Sequence, residues 1–113
     1  MEPDFSRIHT LFEKFHMSSD YLERDVFNLS GGEKQRIALI RSMIFVPKIL
    51  LLDEITSALD VDNTLLVEEV IQSWNKEGLT VLWITHNPEQ SRKYANKILT
   101  IEAGKKKSFE EVI

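Results

Sequence analysis

The sequence has no cysteine. Disulfide staples and thiolate metal sites are therefore excluded, and a reducing compartment suits the chain. Long uninterrupted apolar runs are also missing. The greasiest stretch, Ile37 to Leu52, is broken by Arg41, Pro47 and Lys48, so it does not span a bilayer as one helix. No charged start followed by an apolar block opens the chain, and no secretory signal is expected. Repeats and low-complexity tracts are absent. So is a basic excess: the net charge is -4, which argues against a nucleic-acid-binding surface. The one basic run, Lys105-Lys106-Lys107, reads as a solvated turn.

What is present describes a globular chain. Its 113 residues suit one domain with a modest core, and 42% apolar with 28% charged residues argues against disorder. Phe5, Ile8, Leu11, Phe12 and Phe15 share one helical face, predicting a helix over 5–15. Residues 16–28 read as turns or a broken helical segment. Ser30 with Glu33 three residues on forms a capping box, and the helix it opens is expected to run from Gly31 to Phe45, ending before Pro47. The apolar run 49–52 predicts a strand buried on both faces, as in a parallel sheet. Val67, Val70, Ile71 and Trp74 predict a helix over 63–76, stopped at Gly78. "LTVLWIT" (79–85) reads as a second buried strand. Asn87 and Pro88 open a helix to Tyr94, and 98–101 reads as a third strand. Alternating strands and helices imply an α/β layer fold with a parallel sheet.

Three constellations carry chemistry. Asp53-Glu54 follows the first strand, at the edge where parallel sheets bind ligands. One carboxylate there can serve Mg²⁺, and a second can orient or deprotonate a water. An isolated "LLLDE" equally fits two acids capping a strand in solvent. "NLSGGEKQR" (28–36) puts two glycines at a helix start, where backbone N–H groups can approach an anion. A well-capped helix after a tight turn explains it as well. His86 follows the second strand, at the same sheet edge, where an imidazole can meet a phosphate. A lone histidine is more often an ordinary surface residue, and His9 and His16 are read that way.

The order of the motifs discriminates. "LSGGE", "ILLLDE" with Asp53 lying 23 residues after Ser30, "SALD" and "ITH" follow one another. Together they resemble the ATP-binding-cassette (ABC) ATPase family over nearly the whole chain. "LSGGE" resembles the family signature, "ILLLDE" Walker B, "SALD" the D-loop and His86 the switch histidine. Ile55 stands where most members carry proline, and with "VLWITH" this is similar to a bacterial group of iron-export ATP-binding subunits.

The resemblance implies a RecA-like P-loop NTPase core at 46–113, joined to part of a helical subdomain and the signature helix at 1–45. It implies ATP and Mg²⁺ as cofactors of a complete site. Asp53 would serve Mg²⁺ through water, Glu54 would polarise the attacking water and His86 would contact the γ-phosphate. Ser30, Gly31, Gly32 and Glu33 would face the nucleotide of a second subunit, and Asp60 would couple the two sites.

One motif is missing. The phosphate-cradling loop G-x-x-x-x-G-K-[ST] is absent. Of four glycines only Gly104 precedes a lysine, with Leu99 and Lys106 at the other required positions. Family members are roughly twice as long and carry that loop and the Q-loop upstream. The chain is thus expected to be the C-terminal half of an ABC nucleotide-binding domain, inactive alone and inclined to self-associate through exposed strand edges and an apolar face. The implied partners are a second nucleotide-binding subunit and an integral membrane permease, with no nucleic acid. The implied location is the cytoplasmic face of the cell membrane. Two other readings are a head lobe of a chromosome-maintenance or recombination-repair ATPase and a non-enzymatic interaction fragment.

Overall fold

A computed structural model of the chain describes residues 4–112. It contains two compact units divided between Trp83 and Ile84, at the end of a strand.

In the first unit, helix α1 spans Phe5–Lys14. The Asp4 side chain caps it, accepting the N–H groups of Ser6 (3.0 Å) and Arg7 (3.3 Å). Two short 3₁₀ turns, Ser19–Glu23 and Val26–Asn28, carry the chain to helix α2, Gly31–Met43. The capping box forms as the sequence implies, but α2 ends two residues early. Val46 takes the left-handed conformation, φ 52°, directly before Pro47. Strand β1 is Ile49–Asp53, helix α3 is Val61–Lys76 and strand β2 is Thr80–Ile84. Gly78 ends α3 at φ 112°, a conformation that only glycine adopts cheaply, and lets the Leu79 amide return to the Trp74 carbonyl at 3.1 Å.

β1 and β2 pair as neighbours in a parallel sheet, which the alternation of strand and helix predicts. Its inner face is covered. Leu50 and Leu52 join Phe12 and Phe15 of the α1 end, Leu39 and Met43 of α2, and Val67 and Trp74 of α3 in one core. Phe15 meets the Trp74 ring edge-on, with centroids 5.8 Å apart. Arg7 ties α1 to the end of α2 by donating to the Met43 carbonyl at 3.0 Å.

The outer face corrects the expectation of a strand buried on both sides. Burial alternates along β1, and Ile49 and Leu51 are 59% and 70% exposed. Leu82 of β2 is exposed as well. The cause is composition without cover. The strand is apolar on both faces, as in a doubly covered sheet, but within the first unit the helices pack on one face only.

In the second unit, helix α4 is Pro88–Tyr94, and strands β3 (Lys97–Glu102) and β4 (Lys105–Glu111) form an antiparallel hairpin. Its turn residues Ala103 and Gly104 both have positive φ, 52° and 74°, matching the twist a two-residue hairpin turn needs. The basic run therefore begins a strand and is not a turn. Its lysines are exposed, and Lys107 pairs with Glu102 at 3.1 Å. Among the described residues no helix is long and apolar enough to cross a membrane.

Candidate functional site

The start of α2 is built by reciprocal hydrogen bonds. The Ser30 hydroxyl accepts the Glu33 amide and the Glu33 carboxylate accepts the Ser30 amide, each at 3.0 Å. That arrangement leaves the amides of Gly31 and Gly32 in the helix's first turn, where no intrahelical acceptor exists. The two glycines differ in surroundings. A Cβ at Gly31 would meet nothing within 4 Å, whereas one at Gly32 would stand 3.3 Å from Leu59 Cδ2. A side chain at Gly32 would thus crowd Leu59 slightly, whereas one at Gly31 would stand in open space.

Glu33 is held as an anion. The Tyr21 hydroxyl, first, and the Ser30 amide, second, bring its carboxyl from 4.5 down to about 2. The same bond raises the Tyr21 phenol. Tyr21 is itself fixed, stacked on Phe12 at 6.5 Å and covered by the Arg24 guanidinium 4.1 Å from its ring centre. Sequence reasoning missed Tyr21. The signal was present only as an aromatic in a segment read as irregular.

The loop after β1 carries the acids. Asp53 is exposed at the strand's carboxyl end, and Glu54, half-buried, takes the left-handed conformation at φ 48°. A non-glycine residue there is strained, by about 1–2 kcal/mol. The turn that follows holds it: Ser57 donates to the Glu54 carbonyl from its amide (3.3 Å) and its hydroxyl (3.0 Å). Asp60 caps α3, accepting the Asn63 amide at 2.8 Å and the Asn63 side chain at 3.0 Å. Both its oxygens are therefore engaged within the chain. Leu59, between these anchors, is the residue that reaches Gly32, and it too went unnoticed in the sequence beyond its place in "SALD".

His86 lies in the second unit, exposed, between β2 and α4. Its neighbours are pinned. Asn87 caps α4, accepting the amides of Glu89 and Gln90, and its own amide donates to the Thr85 hydroxyl at 3.0 Å. Thr85 in turn donates to the buried Gln90 side chain at 2.8 Å.

The donor set bears on cofactors. Among the described residues no three His, Asp or Glu side chains gather as metal ligands, so Asp53 is not part of a complete protein-only metal site. A hollow of about 190 Å³ beside Leu29, before α2, and Ile37 of α2 falls short of the roughly 300–1,000 Å³ of small-molecule sites.

The chain has an α/β fold with a parallel sheet, and its solved structural neighbours, ATP-binding cassettes, make it a fragment of the P-loop NTPase kind. The chain belongs to the ABC transporter family, whose model matches residues 1–57. It is 43% identical over 102 residues to "Probable iron export ATP-binding protein FetA" of Escherichia coli (strain K12), covering 89% of this chain and 45% of that protein. It is 40% identical over 87 residues to phosphate import ATP-binding protein PstB of Ehrlichia ruminantium (strain Gardel), covering 77% of this chain and 34% of the relative. Among solved structures, the dimeric post-hydrolysis state of the ATP-binding cassette MJ0796 bound to ADP and Pi matches with a TM-score of 0.84 at 25% identity, over 96% of this chain and 47% of that one. The chain spans less than half the length of these relatives.

Proposed function

We propose that the chain is the signature and catalytic-carboxylate half of an ATP-hydrolysing ABC transporter subunit, with residues 1–45 in the helical subdomain and 46–113 in the core. The observation that carries this reading is the Ser30–Glu33 turn. Its Gly31 has no steric reason within the chain to lack a side chain, and the Gly31 and Gly32 amides have no intrahelical acceptor and can meet an anion. An external group, the phosphate end of a nucleotide held by a second subunit, supplies that reason. Glu33 stays charged there, but its carboxylate is drawn back onto the Ser30 amide and Tyr21.

At the end of β1, Glu54 positions and deprotonates a water and Asp53 would serve Mg²⁺ through water; His86, by the family resemblance, would contact the terminal phosphate. Bound Mg²⁺ would neutralise phosphate charge. Asp60 couples the two sites. ATP and Mg²⁺ are proposed for the complete site only, because the cradle of backbone amides and lysine that supplies most phosphate affinity is not in this sequence. The subunit works as a dimer on a membrane permease, at the cytoplasmic face. Relatives of similar identity are named for iron and for phosphate, so substrate choice rests with the permease and not with these residues.

The test has two arms. Calorimetry of the 113-residue chain is expected to show no ATP binding. Joined to a Walker A-bearing half, the chain should hydrolyse ATP, and Glu54→Gln should slow that by about 10²- to 10⁴-fold. Tight binding by the chain alone, or an unchanged rate in Glu54→Gln, refutes the reading.

A further inference from the structure

Tyr21 reaches Glu33 from another element, the first 3₁₀ turn. Its phenol donates to the Glu33 carboxylate, which also accepts the Ser30 amide at 3.0 Å. The Ser30 bond is local to the helix start. The Tyr21 bond runs back to the core. The Tyr21 ring stacks on Phe12, a buried core residue, with centroids 6.5 Å apart and planes 21° from parallel. The Arg24 guanidinium lies 4.1 Å from the same ring centre. The turn is pinned as well. The Ser18 hydroxyl accepts the Asp20 amide and the Ser18 carbonyl accepts the Tyr21 amide, both at 3.2 Å, and the Tyr21 carbonyl accepts the Arg24 amide at 3.3 Å. The hydroxyl is thereby held in one place.

We propose that Tyr21 is a positioning residue for the nucleotide of the second subunit: it holds the Glu33 carboxylate aside from the Gly31 and Gly32 amides, so that a phosphate and not the chain's own anion meets them. This rests on the functional reading above, in which the α2 start faces that nucleotide. The need follows from charge. Glu33 is the third residue of a helix whose first amides attract anions. Its carboxylate has the sign of a phosphate. Bound by Ser30 alone, on a flexible side chain, it would compete for those amides and repel the incoming group. A second donor, anchored on the core, removes that freedom. The hydroxyl of Tyr21 does this and the ring only carries it, so the two can be separated by substitution.

Tyr21→Phe keeps both ring contacts and removes only the hydroxyl. In the 113-residue chain, the Glu33 carboxyl carbon followed by NMR should titrate at about 2 in the parent and move up toward 4.5 in Tyr21→Phe. If Tyr21→Phe does not fold, the bond is read from its other end. In Glu33→Gln carrying Tyr94→Phe, absorbance should show the Tyr21 phenol falling from its raised value toward 10.0. Arg24 and Arg36 also act on the phenol, but they are unchanged in that variant, so the fall reports Glu33. An unmoved titration in the measurement made overturns the bond. In the cassette completed with a Walker A half, Tyr21→Phe should raise KM for ATP about three- to tenfold, the worth of one hydrogen bond, and leave kcat within about twofold, as lost binding does. In a Glu33→Gln background no carboxylate is left to hold, and the same change should move KM by less than about twofold. A KM rise of equal size in both backgrounds, or none in either, overturns the positioning role while leaving the bond. A completed cassette that hydrolyses no ATP removes the functional reading and this role together, with the titration result standing apart.

Discussion

Ser30 and Glu33 exchange hydrogen bonds in both directions at 3.0 Å, each side chain accepting the other's amide. One pair thus fixes the α2 start and sets the charge beside it. Folding lowers the Glu33 pKa, so its contribution to stability is fully present above its ordinary value of 4.5 and is lost as pH falls toward about 2. Thermal melts from about pH 5 down to about pH 2.5 should show the parent losing more stability than Glu33→Gln. Parallel curves for the two would refute the assignment.

Ser30→Ala removes the acceptor for the Glu33 amide. Loss of such a cap costs about 1 kcal/mol, within a range of roughly 0.5–2. Ser30→Gly should cost only a few tenths, because water then reaches the amide. Urea melts of the two variants separate these outcomes, and equal losses would argue against a capping role.

Glu54 is held at φ 48° by its neighbours. Asparagine tolerates that conformation far better than glutamate does. Glu54→Asn should therefore stabilise the chain by about 1 kcal/mol while abolishing hydrolysis in a completed cassette. A loss of stability would show that contacts of the Glu54 side chain outweigh the backbone strain.

Ile49, Leu51 and Leu82 form an exposed apolar face on a sheet of two strands, each with an open outer edge among the described residues. Such a surface favours association. Sedimentation should show concentration-dependent self-association that Leu51→Lys reduces. An exposed site tolerates the change within about 0.5 kcal/mol of stability. A monomeric parent at every concentration would contradict this.

The sequence exposed the parts of the fold that depend on local chemistry. Ser30 with Glu33 announces a helix start, Asn87 with Pro88 another, and Gly78 an end, because each residue satisfies or frees particular backbone groups. The one-sided burial of β1 was not legible. Ile49 and Leu51 have the composition of core residues, and their exposure depends on what packs against the sheet. The left-handed backbone at Glu54 was hidden too, since glutamate carries no signal for it and the hooks from Ser57 form only in the folded turn. Strand β4 escaped because "KKKSFEE" is dominated by charge, and its pairing is imposed by the Ala103-Gly104 turn. At the candidate site, motif order gave most of the polar residues, whereas the packing of Leu59 and the hydrogen bond from Tyr21 to Glu33 depend on the folded chain, which spacing does not reveal.

Trp74 lies in the core, edge-on to Phe15. That places an optical gauge at the junction of α1 and α3. With Trp83 replaced by Phe, the remaining indole should emit at short wavelength and resist collisional quenchers while the two helices stay together, then shift red as they part. Fluorescence from this one ring therefore follows the closing of the core in real time, without a label.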